Sequence, residues 1–237
     1  KVLLHVEGKS IISHVVERVA AANLIDNLVV ATTLNEGDVE LVREVSALKH
    51  LVFCGSEDDV LDRYYQVAKH FQPKHIVRIT ADCPLIDPQV IDLVISQHLK
   101  SDADYTSNTL DIPYPDGQDV EVFKLESLNK AWKEARLASE REHVTPFIKL
   151  NEVDFNIKKV LSDEELSSMR WTLDEPEDLE LITIIFKKLY GKNKLFSMKD
   201  VINLYKEDKS LKEINKMHIR EEGYRKSLEN DHYINND

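Results

Sequence analysis

The sequence predicts an α/β fold in which a mostly parallel sheet carries helices on both faces. Three observations carry that expectation. Residues 28–33 form a continuous apolar run that ends in threonines, as a strand buried on both faces should. Strand-like and helix-like periods alternate at βαβ spacing through the first hundred residues. Asp82 and Asp174 each stand behind a short apolar run and ahead of a proline-marked helix start, where open α/β sheets place ligand chemistry.

Taken in order, Ser10 opens a first helix with Ile11, Ile12, Val15, Val16, Val19 and Ala20 at a helical period. Residues 38–48 repeat that period, and 50–54 give a second short strand. The loop 55–59 offers N-cap side chains to an amphipathic helix over 60–71. Residues 75–80 form the next strand, 81–88 a loop closed by two prolines, and 89–100 a helix. Beyond Asp102 the rhythm changes. Residues 104–108 read as a short strand, 109–117 as a loop, and 118–123 alternate as a half-buried strand would. Helices are expected over 125–137 and 140–150, strands over 155–160 and 169–173, and a helix from Pro176 to Tyr190. The apolar content then falls, leaving helices at 197–207 and 210–228 and a loose tail. The expected organisation is a domain over 1–190 and a helical extension or linker over 191–237.

Composition narrows the function. A chain of 237 residues is long enough for a substantial core, and 42% hydrophobic with 31% charged content is ordinary for a globular protein. A net charge of −12 argues against nucleic-acid binding, which needs a basic footprint. Cys54 and Cys83 cannot build a disulfide framework or a paired zinc site. No apolar run reaches membrane-spanning length and nothing resembles a signal peptide, so a cytoplasmic setting is the expectation. The chain opens on Lys1-Val2-Leu3-Leu4 and not on methionine, so an N-terminal piece is expected to be absent.

Several clusters can carry chemistry. Asp82 and Asp174 can converge on one divalent cation, since Mg²⁺ favours one or two carboxylates plus phosphate oxygens and water. The plainer alternatives are a turn cap at Asp82 and an acidic helix N-terminus at Asp174. Asn108 with Tyr114-Pro115-Asp116-Gly117-Gln118-Asp119-Val120-Glu121 forms a second polar cluster. Pro115-Asp116-Gly117 is good turn chemistry, while Gln118, Asp119 and Glu121 sit at a strand start suited to sugar hydroxyls. His143 reads equally well as a substrate ligand or a helix-surface histidine. Arg63 and Arg78 are phosphate candidates, with an intrahelical ion pair to upstream acids as the alternative for Arg63. The sequence has no GxxxxGK[ST], GxGxxG or Gly-x-Ser-x-Gly motif, which argues against P-loop, dinucleotide-binding and α/β-hydrolase chemistry.

These pieces resemble the cytidylyltransferases that activate acidic sugars, the acylneuraminate and 3-deoxy-manno-octulosonate enzymes, and above all their spore-coat-polysaccharide branch. The resemblance rests on Lys1-Val2-Leu3-Leu4, Gly8-Lys9-Ser10-Ile11-Ile12, Val60-Leu61-Asp62-Arg63-Tyr64-Tyr65, and Arg78-Ile79-Thr80-Ala81-Asp82-Cys83-Pro84. It continues through the 114–123 run, Glu142-His143-Val144-Thr145-Pro146 and Arg170-Trp171-Thr172-Leu173-Asp174, in family order over about 1–190.

The resemblance implies a Rossmann-like three-layer α/β/α nucleotidyltransferase fold with a mostly parallel mixed sheet. It implies CTP and a sugar as substrates, Mg²⁺ held by Asp82 and Asp174, a CMP-sugar and pyrophosphate as products, and often a homodimer. Lys1 looks like the lysine that ends the phosphate loop, with the preceding strand and most of that loop missing. Lys1, Arg63, Arg78, Ala81 and Asp82 then fall on the nucleotide side. Asn108, Asp116, Gln118, Asp119, Glu121 and His143 fall on the sugar side. Two alternatives stay open: another nucleoside triphosphate or a sugar phosphate as substrate, and a catalytically silent scaffold.

Overall fold

The computed structural model describes residues 1–111, 114–220 and 222–234. A hairpin opens it. Glu7 and Gly8, both at positive φ (49° and 79°), turn β1 (His5–Val6) into β2 (Lys9–Ser10), the left-handed pair that a two-residue turn needs. Ser10 then caps α1 (Ile11–Ala20), its Oγ accepting from the Ser13 N–H. The helix buries Ile11, Ile12, Val15, Val16 and Val19 on one side, as its apolar spacing requires.

The sheet is mixed. β3 (Val29–Thr33) and β4 (Leu51–Gly55) run parallel, Val29 opposite Leu51, joined by α2 (Val39–Ala47). After α3 (Val60–Phe71) comes β5 (His75–Arg78), and α4 (Pro88–Ser101) leads to β6 (Tyr105–Ser107). β7 (Glu121–Lys124) lies between β5 and β6, antiparallel to both, and β8 (Ile157–Lys159) runs parallel to β6. Among the described residues, β3 and β5 each keep one edge without a strand partner. Side chains of α1 share apolar clusters with both: Ile12 and Val16 with Val30, Val15 and Val19 with Val77.

The remaining helices are α5 (Leu125–Glu134), α6 (Ala138–His143), α7 (Pro146–Lys149), α8 (Pro176–Leu189), α9 (Met198–Glu207) and α10 (Glu222–Glu229). Trp171, Leu181, Phe186, Phe196, Val201 and Tyr205 form one buried cluster, so α8 and α9 share a core. Arg18, 2% exposed, fastens α1 to the same region. It donates to the carbonyls of Ile86 and Phe196 and lies 4.6 Å from the Phe196 ring.

Four expectations differ in detail from what is found. The helix expected over 210–228 is a 3₁₀ turn at Lys209–Glu213 followed, further on, by α10. Residues 169–173 form no strand. Asp116 N–H donates to Met169 O and Trp171 N–H to Asp116 O, then Leu173 N–H turns to Asp82 O, so the segment changes partner before a ladder can extend. The helix expected over 140–150 breaks at Val144, which has φ 72°, because Pro146 starts a fresh helix at its first position. The ion pair suggested for Arg63 is also replaced: Arg63 donates to the Ser56 carbonyl, while Asp59 is held by Arg141. Of the expected tail, 230–234 is hydrogen-bonded to the body, and 235–237 lie outside the described residues, as do 112–113 of the loop 109–117.

Under β6, His98 is 1% exposed, with Nδ1 2.9 Å from Thr106 Oγ1 and Nε2 3.0 Å from His75 Nδ1. Burial, reinforced by His75 and Lys124, pushes its pKa down to about 4. The unfolded chain, with histidine near 6.5, therefore takes up this proton before the folded one does. The stabilisation is complete above about pH 6.5 and is lost as pH falls towards 4. We expect the urea midpoint to drop between pH 6.5 and 5, and His98→Gln to flatten that drop. Equal slopes in the two proteins would exclude His98 as the cause.

Candidate active site

The sequence places chemistry at the carboxyl end of β5, and a cleft of about 350 Å³ opens there. Four segments build it together with α10, which brings Glu222, Gly223, Tyr224 and Lys226. The end of β5 and its loop bring Arg78, Thr80, Asp82 and Cys83. The approach to β7 brings Asp116, Asp119 and Glu121. The α6–α7 corner adds His143, Thr145 and Lys149, and residues 170–175 add Arg170, Thr172, Asp174 and Glu175.

Asp82 and Asp174 meet, although they are far apart in sequence. The Lys1 ammonium bridges them, with Nζ 3.0 Å from Asp82 Oδ2 and 2.7 Å from Asp174 Oδ1. Burial alone would raise the Asp82 carboxyl, but the Lys1 charge and the Thr80 hydroxyl outweigh it and hold the pKa below the usual range. Burial likewise opposes the Lys1 charge, and the two carboxylates overcome it, so its pKa is raised. One cation thus already sits between two carboxylates. A divalent ion with two carboxylates, phosphate oxygens and water has the same donor set. No larger cluster of His, Cys, Asp and Glu that could hold a metal exists among the described residues.

Arg170 organises the acidic side. Its guanidinium reaches Asp116 Oδ2 at 3.0 Å, Asp174 Oδ2 at 2.7 Å and Asp178 Oδ2 at 3.0 Å. The Asp178 carboxylate, fully buried, also accepts the N–H groups of Asp174 and Glu175, which fixes the start of α8. Asp116 is raised by burial, partly offset by Arg220 and Arg170. Gly117 makes the approach possible. At φ +96° it lies where a Cβ would come within 2.7 Å of the Trp171 carbonyl carbon and 2.8 Å of the Thr172 nitrogen.

On the opposite side Glu121 is buried yet ionised. Burial would raise it, but Arg78 pairs with it, and the Tyr105 and Thr145 hydroxyls donate to Oε1 at 2.5 and 2.6 Å, so its pKa is lowered. Arg78 keeps a buried Nε with no protein acceptor. His143 places Nε2 2.9 Å from Ser227 Oγ.

The cleft therefore gathers Arg78, Asp82, Asp116, Asp119, Glu121, His143 and Asp174, with Lys1 on its acidic edge. Four other sequence candidates lie elsewhere. Arg63 sits against Gly55 and Ser56, and Ala81 packs with Ile12 and Val16. Asn108 clamps Gln118 O and the Val120 N–H. Gln118 bridges Leu85 O and the Asp87 N–H. Sequence reasoning missed Arg170, Lys149 and Thr145. For Arg170 the signal was there, since Asp174 and Asp178 follow it at the i+4 and i+8 spacing of one helix face. Seven carboxylates line the cleft (Asp82, Asp116, Asp119, Glu121, Asp174, Glu175, Glu222) against four cations (Arg78, Lys149, Arg170, Lys226). A polyphosphate would need further positive charge to enter it.

Comparison with known proteins fits this geometry. A family profile described as cytidylyltransferase matches residues 1–185. An uncharacterized protein of Methanocaldococcus jannaschii is 34% identical over 227 residues, 95% of this chain and 91% of its own length. The spore coat polysaccharide biosynthesis protein SpsF of Bacillus subtilis is 32% identical over 166 residues, 69% of this chain and 68% of its own. Among solved structures, a cytidylyltransferase from Leptospira borgpetersenii superposes with a TM-score of 0.85 at 30% identity, covering 89% of each chain.

Proposed function

The chain belongs to the cytidylyltransferase family, and from that premise we propose that it uses CTP to activate an acidic sugar, giving a CMP-sugar and pyrophosphate for surface polysaccharide synthesis. The observation that carries the reading is the convergence of Asp82 and Asp174 on one cation at the cleft mouth.

In this reading Asp82 and Asp174 hold Mg²⁺, which supplies charge neutralisation to the phosphate oxygens when bound. Lys1, displaced from the carboxylates, takes up a phosphate oxygen. Arg170 keeps Asp174 and Asp116 oriented. The sugar hydroxyl attacks the α-phosphorus in line, its proton leaves with solvent or a nearby carboxylate, and pyrophosphate departs. Positioning and electrostatics then supply most of the acceleration, since few covalent steps fall to the protein. Arg78, with its unmatched Nε, Glu121, Asp119 and His143 face the sugar.

The test is pyrophosphate release with Mg²⁺, comparing CTP with ATP, GTP and UTP over a panel of acidic sugars. We expect release with CTP only. Release that depends on a different nucleotide would move the assignment within the nucleotidyltransferases. Absence of nucleotide binding would refute it.

A further inference from the structure

We propose that α10 is the specificity wall of the acceptor half of the cleft, with Tyr224 as its sugar-contacting ring. This rests on the reading above and extends it to a segment outside the family match, which ends at residue 185.

A helix normally holds its place by burying an apolar stripe, yet α10 buries none of its residues. Polar contacts to the cleft hold it instead. Ser227 Oγ lies 2.9 Å from His143 Nε2 and donates to Glu142 Oε2 at 2.7 Å. The Tyr224 ring stands edge-on to His143 at 4.9 Å, and the Lys149 ammonium lies 5.0 Å from its centre. Both ends are pinned to the same body. Arg220 donates to Tyr114 O at 2.9 Å and pairs with Asp119. Asp231 accepts from the Ser139 N–H at 3.0 Å and its hydroxyl at 2.7 Å, and Tyr233 bridges to Leu137.

Tyr224 and Gly223 thus line the cleft, the Tyr224 ring beside His143 and Lys149. An aromatic ring flanked by an imidazole and an ammonium suits a carbohydrate: the ring meets its C–H face, and the polar groups meet its hydroxyls or carboxylate. Because apolar packing does not fix α10, altering Tyr224 should change acceptor recognition without loosening the core.

The experiment compares wild type, Tyr224→Ala and Tyr224→Phe in steady-state pyrophosphate release, with 3-deoxy-manno-octulosonate and N-acetylneuraminate as acceptors and urea midpoints recorded alongside. We expect Tyr224→Ala to raise the acceptor KM about tenfold or more, as loss of a well-placed aromatic contact does. The CTP KM should stay within about twofold, the urea midpoint should not move, and Tyr224→Phe should restore the acceptor KM. An acceptor KM unchanged in Tyr224→Ala would overturn the wall while leaving the function intact. Parallel rises in both KM values, or a lowered midpoint, would make α10 a structural strap and also overturn it. Absence of release by the wild type with every nucleotide would refute the functional reading itself, and the wall with it.

Discussion

Replacing Asp82 or Asp174 with asparagine should each cut kcat by about 10²–10³-fold, the scale seen when one preorganised electrostatic partner of a transition state is removed. Asparagine keeps the size and one acceptor oxygen but loses the charge that lets both residues grip one cation. The fold should survive. The two pairs with Lys1 are partly exposed, and such ion pairs contribute about 0–1 kcal/mol. Lys1 itself should become easier to deprotonate in either variant, because the carboxylates are what raise its pKa. The check is kcat beside the urea midpoint. Activity within threefold of wild type in either variant would show that the pair does not carry the chemistry. Activity and midpoint falling together would show that it serves stability instead.

Gly117→Ala should do the reverse, damaging fold and activity together. The residue holds φ +96°, which costs any other residue about 1–3 kcal/mol. Its new methyl would also meet backbone atoms of Trp171 and Thr172 at under 3 Å, and overpacking of that kind costs about 1–3 kcal/mol more. We expect about 2–6 kcal/mol of lost stability by urea denaturation. The clash pushes 171–172 away from 116–118, and those segments carry Asp174 and Asp116. Whatever folded protein remains should therefore turn over slowly. A loss below about 1 kcal/mol would mean that the two segments part freely.

The alternating periods and the acidic residues behind apolar runs were legible because they follow from local rules. A helix-covered strand writes a continuous apolar run, although β3 is mostly half-buried and not enclosed on both faces as expected, and a strand end in an α/β sheet exposes its loop to ligand. Asp82 and Asp174 could be paired on that logic, even though the segment before Asp174 makes no ladder. Asn108 and Gln118 were not separable from true cleft residues. An amide that closes a buried loop and an amide that binds a hydroxyl are the same side chain at the same kind of turn, and only the partner atoms tell them apart. Arg170 was visible in spacing, but its three partners became visible only when 116, 174 and 178 met. The role of α10 left no local trace. A helix without an apolar stripe reads as a solvated extension, and its contacts are with residues 84 and 85 positions upstream.

The attachment of 231–234 to 136–139 has a consequence for biogenesis. During synthesis the buried clusters, whose members run to Leu211, can close before residues 222–234 are added. The cleft cannot. Its α10 side is translated after those clusters and docks on a body already formed, so the protein passes through a stage in which it is folded and open beside His143 and Lys149. A message cut short past residue 211 would yield that species permanently: a molecule with its buried clusters closed and its cleft unwalled beside His143 and Lys149.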